Sequence, residues 1–414
     1  MKKKLLRAGA VLLILVLAAT VAGPHILLAA VRQPEPESGF AYSDSFRTTY
    51  EETRAGVREL IGELEQAGAV VEAESYPVDA SNGLYIDTFY LPSAGEHRNL
   101  IILTTGVHGM EGYIGDVMLD VFFGEIYPEL NRDNTGILVV ANVNPYGMKN
   151  YRRYNENNVD LNRNFILDWD TFDLTSNKEY PKVEEFLGPT GKIGNALWHE
   201  AGFYLSLAKT AITDGADTVS DALLTGQYEY PQGVYYGGVG DEASTAYLKD
   251  VFARCLDSDY ENLVHIDLHS GYGPRYNMVI FNSVYETMNE AESVEAFGYD
   301  HVIAYDSESF YATTGDTTDF FYRLADQKQA PAELYSTCFE FGTIGDAFFD
   351  TILSLKYTVD ENRNHWYPTD NAVSAEVVRQ TYLELYYPTE TAWRQKTIED
   401  FLTATRGVLD VKLK

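Results

Sequence analysis

The chain has 414 residues, 45% hydrophobic and 22% charged, which excludes a disordered polypeptide and provides material for a large core. Its formal charge is −31, from 62 acidic and 31 basic residues, which argues against a nucleic-acid partner, because phosphates need clustered Lys and Arg. Two cysteines far apart, Cys255 and Cys338, exclude a cysteine-built metal site and leave either one pair or two buried free thiols.

The N-terminus stands apart. Lys2, Lys3, Lys4 and Arg7 precede an almost wholly apolar run over residues 8–31, and no acid occurs before residue 32. That pattern is a signal peptide or membrane anchor that sends the rest of the chain out of the cytoplasm. Pro24 and His25 interrupt the run, so cleavage and retention both stay open, and the lack of cysteine excludes a lipoprotein anchor. Residues 32–40 read as an exposed linker, and 41–414 as the catalytic domain.

From there, helix-like and strand-like runs alternate. Residues 47–67 have helical periodicity, while 70–76, 84–91 and 99–104 have strand character. An amphipathic helix follows over 113–126, then a β-rich run over 136–144. Residues 166–240 have weak periodicity and many Tyr, Gly and Pro, and read as a long excursion from the sheet. A helix over 242–256 contains Cys255, and strands are expected over 262–269, 276–282 and 334–341, the last holding Cys338. Further helices are expected over 346–355 and 375–385. This alternation predicts one large α/β domain: a mainly parallel, mixed central sheet with helices on both faces and a long insertion.

In an open α/β sheet, chemistry collects at the carboxyl ends of strands. Three strand ends here carry unusual polar residues: His108 with Glu111 in "TGVHGMEG", His269 in "HIDLHSGYG" and Glu340 in "CFEFGT". Two histidines and a carboxylate are a common ligand set for catalytic zinc, with a second carboxylate free to act as general base. The alternative for a lone histidine is a hydrogen-bonded residue at a strand end, and His265 illustrates it. A fourth stretch, "NPYGMKNYRRYNENNVDLNRNF" (144–165), packs charges and asparagines densely, which is costly unless they meet a ligand or each other.

With that stretch, the sequence resembles the carboxypeptidase A-like zinc metallocarboxypeptidases. Their H-x-x-E motif is similar to His108–Glu111, their N-P-D-G…R-x-N…V-D-L-N-R-N-F segment to residues 144–165, and their third ligand to His269. Residues 310–322, "FYATTGDTTDFFY", are similar to the family's Tyr-x-x-Ser-Gly…Asp-Trp-x-Tyr segment, and Glu340 falls where the family places its general base. The resemblance implies one zinc ion per chain held by His108, Glu111 and His269. It implies Glu340 as base, Arg153 (or its neighbour Arg152) for the oxyanion, and Asn162 and Arg163 on the substrate carboxylate. Tyr311 would cap the substrate, and Asp160 would orient a ligand histidine, His108, although a turn cap explains Asp160 equally well. The departures are Phe320 for the usual Trp and an uncharged Thr318 near the side-chain pocket. "DLHSGYG" and "FEFGT" are also similar to the aspartoacylase and succinylglutamate desuccinylase branch.

Three functions follow as expectations: an exported zinc carboxypeptidase for peptides, a zinc amidase or deacylase for acyl-amino acids or cell-wall peptides, and a binding protein that kept the fold without catalysis. The complete set of ligands and base argues against the third. Asn162 and Arg163 point to a substrate with a free carboxylate, and membrane contact is expected through the N-terminal segment alone.

Overall fold

The computed structural model describes residues 2–304 and 314–414. Among the described residues, one sheet contains β1 (Glu72–Asp79), β2 (Leu84–Leu91), β3 (Asn99–Thr105), β4 (Thr135–Ala141), β5 (Asn262–Ser270), β6 (Met278–Asn282), β7 (Val302–Ala304) and β8 (Glu333–Phe341), in the order β1-β2-β4-β3-β5-β8-β6-β7. The central four, β4, β3, β5 and β8, run parallel, while β2 and β6 pair antiparallel with their flanks. Every residue of β3, β4 and β5 is buried, which explains their unbroken apolar sequences, such as "NLIILTT" and "TGILVVA".

Successive strand residues point to opposite faces. Val264, Ile266 and Leu268 join one core with Ile101, Leu103, Ile137 and Val139, covered by α2 (Tyr50–Gln66), α3 (Gly112–Val121), α12 (Ala372–Tyr386) and α13 (Thr391–Lys412). Leu263 lies on the other face with Leu100, Ile102, Leu138 and Val140, under α8 (Ala243–Leu256) and α10 (Thr317–Lys328). By the same period of two, His265, Asp267 and His269 share that second face. In the β5–β8 register they stand beside Ser336, Cys338 and Glu340. The remaining helices are α1 (Lys2–Val31), α4 (Pro145–Lys149), α5 (Tyr180–Leu187), α6 (Ala196–Thr213), α7 (Ala216–Leu224), α9 (Glu290–Phe297) and α11 (Phe348–Trp366). Both cysteines are free thiols.

Two expectations change. Pro24 does not interrupt the N-terminal run, and α1 continues through it to Val31. A proline lacks the N–H that would bond the carbonyl four residues back. That carbonyl, on Thr20, instead accepts from Asn195 Nδ2 at 2.7 Å, and Trp198 Nε1 donates to the Thr20 hydroxyl at 3.0 Å. Within α1, residues Val11–Val31 are long and apolar enough to cross a membrane. The excursion, 166–240, holds three helices where its periodicity suggested little: α5, α6 and α7 bury Tyr180, Val183, Phe186 and Phe203 against Leu355 and Val359 of α11. Its helices are stabilised by this shared packing, and the glycines and prolines between them break up the pattern in the sequence.

Candidate metal centre

β3 ends at Thr105, and the chain turns at Gly106, whose φ of +70° is the left-handed region that favours glycine. His108 follows in extended backbone, and a 3-10 turn over Gly109–Glu111 leads into α3. Gly109 is required by space, because a Cβ there would fall 2.2 Å from the carbonyl carbon of Gly147. That close approach lets the Gly109 and Met110 N–H groups donate to the Arg153 and Arg152 carbonyls. The turn carrying His108 and Glu111 is thereby stitched to the polar segment 144–165.

His269 comes from the end of β5, and the three side chains meet, all buried. Their potential ligand atoms lie within 4.8 Å of one another. The two Nδ1 atoms face each other at 3.3 Å, and Glu111 reaches both, Oε1 to His108 Nδ1 at 2.8 Å and Oε2 to His269 Nδ1 at 2.7 Å. Each Nε2 meets a further carboxylate: Asp160 Oδ1 on His108 at 2.9 Å, Asp267 Oδ2 on His269 at 2.8 Å.

This set fits a divalent zinc ion. Zn–N bonds of about 2.0–2.1 Å at a tetrahedral angle place two nitrogens about 3.3 Å apart. All four ring nitrogens face carboxylate oxygens, so each needs a proton or a cation. A doubly charged ion in place of the two Nδ1 protons keeps the balance among Glu111, Asp160, Asp267 and Arg153 unchanged. The ring orientations are already fixed by the Nε2 partners, the usual arrangement around histidine ligands.

The electrostatics agree. Burial opposes the Glu111 charge, yet the neighbouring His108 and His269 rings hold its carboxyl down at about 2. Asp160 is likewise held well below the carboxylate range, against burial, by Arg153 and His108. Burial disfavours a charged His269, but Asp267 and Glu111 raise it well above an ordinary histidine. Glu340 goes the other way: burial and the Glu111 charge push it up to about 8, while the Tyr272 N–H donates to its Oε1 at 2.9 Å.

The two adjacent arginines separate. Arg152 turns away, to Glu361, Asn158 and Asn362. Arg153 enters the centre, with Nε on Asp160 Oδ2 at 2.8 Å and Nη1 3.5 Å from Glu111. Both readings of Asp160 hold together, since its Oδ1 also accepts the Asn162 N–H and caps the 3-10 turn over Leu161–Arg163. Asn162 Oδ1 accepts the Thr317 N–H. Arg163 is 8% exposed, and its Nε has no hydrogen-bond partner among the described residues. Thr318 spends its hydroxyl on Asp316. Tyr311 lies outside the described residues. The sequence reading overlooked Asp267, although it lies two residues before His269 on the same strand face, and it overlooked Thr317.

Among curated proteins, none matches the chain. It is similar to the solved structure of bovine thrombin-activatable fibrinolysis inhibitor in complex with tick carboxypeptidase inhibitor: 15% identity, 89% of this chain and 99% of that chain covered, TM-score 0.42. Carboxypeptidase A from Helicoverpa armigera gives 15%, 88%, 80% and 0.41. Succinylglutamate desuccinylase from Chromobacterium violaceum gives 13%, 78%, 72% and 0.32. These likenesses are remote, and the chemistry rests on the residues of the centre. One family profile spans residues 46–400, and the chain belongs to that family, described as "Protein of unknown function (DUF2817)".

Proposed function

We propose that the chain is an exported zinc-dependent hydrolase that cleaves the last amide bond of a peptide bearing a free C-terminal carboxylate. The observation that carries this reading is the convergence of two histidine Nδ1 atoms and one carboxylate, with Glu340 paired to His269 one strand away. When bound, zinc would supply Lewis-acid polarisation of a water or carbonyl oxygen. Glu340 takes a proton from the attacking water as its oxygen bonds to the carbonyl carbon. The same carboxyl delivers that proton to the departing nitrogen as the C–N bond breaks.

An isolated carboxyl near 8 would be a poor base in its protonated form, but a divalent ion beside it lowers its pKa towards neutrality. Arg153, held by Asp160 at its Nε and 3.5 Å from Glu111 at its Nη1, has its guanidinium at the centre, where it suits an oxyanion. Arg163, buried with an Nε that has no partner among the described residues, suits the substrate carboxylate, and the neighbouring Asn162 has an amide NH2 to add. Export rests on the basic start and the apolar α1.

The test is incubation of the purified, zinc-loaded full chain with a mixed panel of peptides, their C-terminally amidated counterparts and N-acyl amino acids. Release of C-terminal residues from free peptides alone is expected. Cleavage confined to N-acyl amino acids would move the assignment to a deacylase, and stoichiometric zinc without any hydrolysis would point to a binding protein.

A further inference from the structure

We propose that Thr317 is a positioning residue that ties the grip on the substrate carboxylate to the orientation of the ligand His269. The inference rests on the metallohydrolase reading and deepens it. Thr317 is the first residue of α10, capped by Asp316 and only 1% exposed. Its two polar groups go to two different parts of the centre. The backbone N–H donates to Asn162 Oδ1 at 3.0 Å. The hydroxyl donates to Asp267 Oδ2 at 2.5 Å and lies 3.5 Å from the same Asn162 oxygen.

Each bond has one sense only. An ionised carboxylate only accepts, so the Thr317 hydroxyl must be the donor to Asp267. A backbone N–H only donates, so Asn162 must turn its oxygen towards Thr317, which leaves its NH2 free for the substrate carboxylate. The same Asp267 oxygen accepts from His269 Nε2 at 2.8 Å, and its other oxygen accepts from Thr104 Oγ1 at 2.6 Å. Asp267 is therefore fixed from three sides, and one of them moves with the first turn of α10. A displacement of Asn162 reaches His269 through Thr317 and Asp267, a path of hydrogen bonds that avoids the metal.

Thr317→Val keeps the shape and the N–H but removes the hydroxyl, whereas Thr317→Ser keeps both polar groups. Zinc affinity of the full chain, measured without substrate by competition with a chromogenic chelator, is the primary readout. Loss of a ligand-orienting partner typically weakens metal binding about 10–100-fold, so Thr317→Val is expected at about 10-fold. Thr317→Ser should stay near the parent, with thermal midpoints recorded for each as a control on folding. Asn162→Ala should weaken zinc by itself in the parent and add nothing further in the Thr317→Val background, because both act along one path. The Val variant should also raise KM for free peptides.

Three results would overturn the tie: unchanged zinc affinity in Thr317→Val, equal loss in Val and Ser, or independent additive losses with Asn162→Ala. The first, with the parent binding one zinc, leaves the metallohydrolase reading standing. A parent that binds no zinc removes both.

Discussion

His265 and His269 stand four residues apart on one face of β5, both buried, and they have opposite chemistry. His265 lies deep in the strand, edge-on to the stacked rings of Phe252 and Phe321, with hydroxyls on its two nitrogens: Thr104 at 3.0 Å and Ser336 at 2.8 Å. Burial pushes it down to about 4, outweighing the attraction of Asp267. His269, at the strand end, has a carboxylate on each nitrogen and is held charged against the same burial. Partner chemistry, not burial, separates a core histidine from a metal ligand.

That contrast can be broken at its strongest point first. His269→Ala should abolish both stoichiometric zinc, by metal analysis, and hydrolysis, whereas His265→Gln should keep the metal. Next, Glu340→Gln should retain zinc and substrate affinity while kcat falls about 10²–10⁴-fold, the usual contribution of a general base. Near-full turnover in zinc-loaded Glu340→Gln would sink the mechanism. Asp267→Asn keeps the size of the residue that distinguishes the two histidines but removes its charge, and should weaken zinc about 10–100-fold.

The smallest effect sharpens the other side of the comparison. His265 is depressed to about 4 from an ordinary 6.5, so the unfolded chain takes up a proton that the folded one refuses. The stability this contributes is complete above about 6.5 and is lost as pH falls towards 4, amounting to roughly 3 kcal/mol. His265→Gln should flatten that part of a denaturant-derived stability curve relative to the parent. The substitution itself should cost about 1–3 kcal/mol through imperfectly satisfied hydroxyls. An unchanged slope between pH 6.5 and 4 would remove His265 as its source.

The same strand explains what the sequence disclosed. β3 was legible because a strand buried on both faces is written as an apolar run, and β5 because Val264, Ile266 and Leu268 alternate with polar residues, so that a histidine at its end has no packing reason to be there. Asp267 was legible in principle, since a period of two places it on the face of His269. Thr317 was not, because its role depends on α10 meeting β5 from 50 residues away. Arg152 and Arg153 could not be told apart as neighbours, and only the turn pinned by their carbonyls sends one guanidinium inward and the other towards α11. The excursion hid its helices for another reason. α5 and α7 are only 8 and 9 residues long, the 18-residue α6 carries a weak stripe, and glycines and prolines separate them, while all three gain stability from one another and from α11.

The Thr20 carbonyl, freed by Pro24 and taken by Asn195, has a consequence for crossing a membrane. A helix rises about 1.5 Å per residue, so the apolar stretch Val11–Val31 measures about 32 Å, close to the roughly 30 Å of a bilayer's hydrocarbon layer, and Thr20 stands near the middle of that length. A crossing by that stretch would carry the Thr20 carbonyl into hydrocarbon, where Asn195 and Trp198 cannot follow, so a crossing α1 gives up both bonds and holds the body only by the chain beyond Val31.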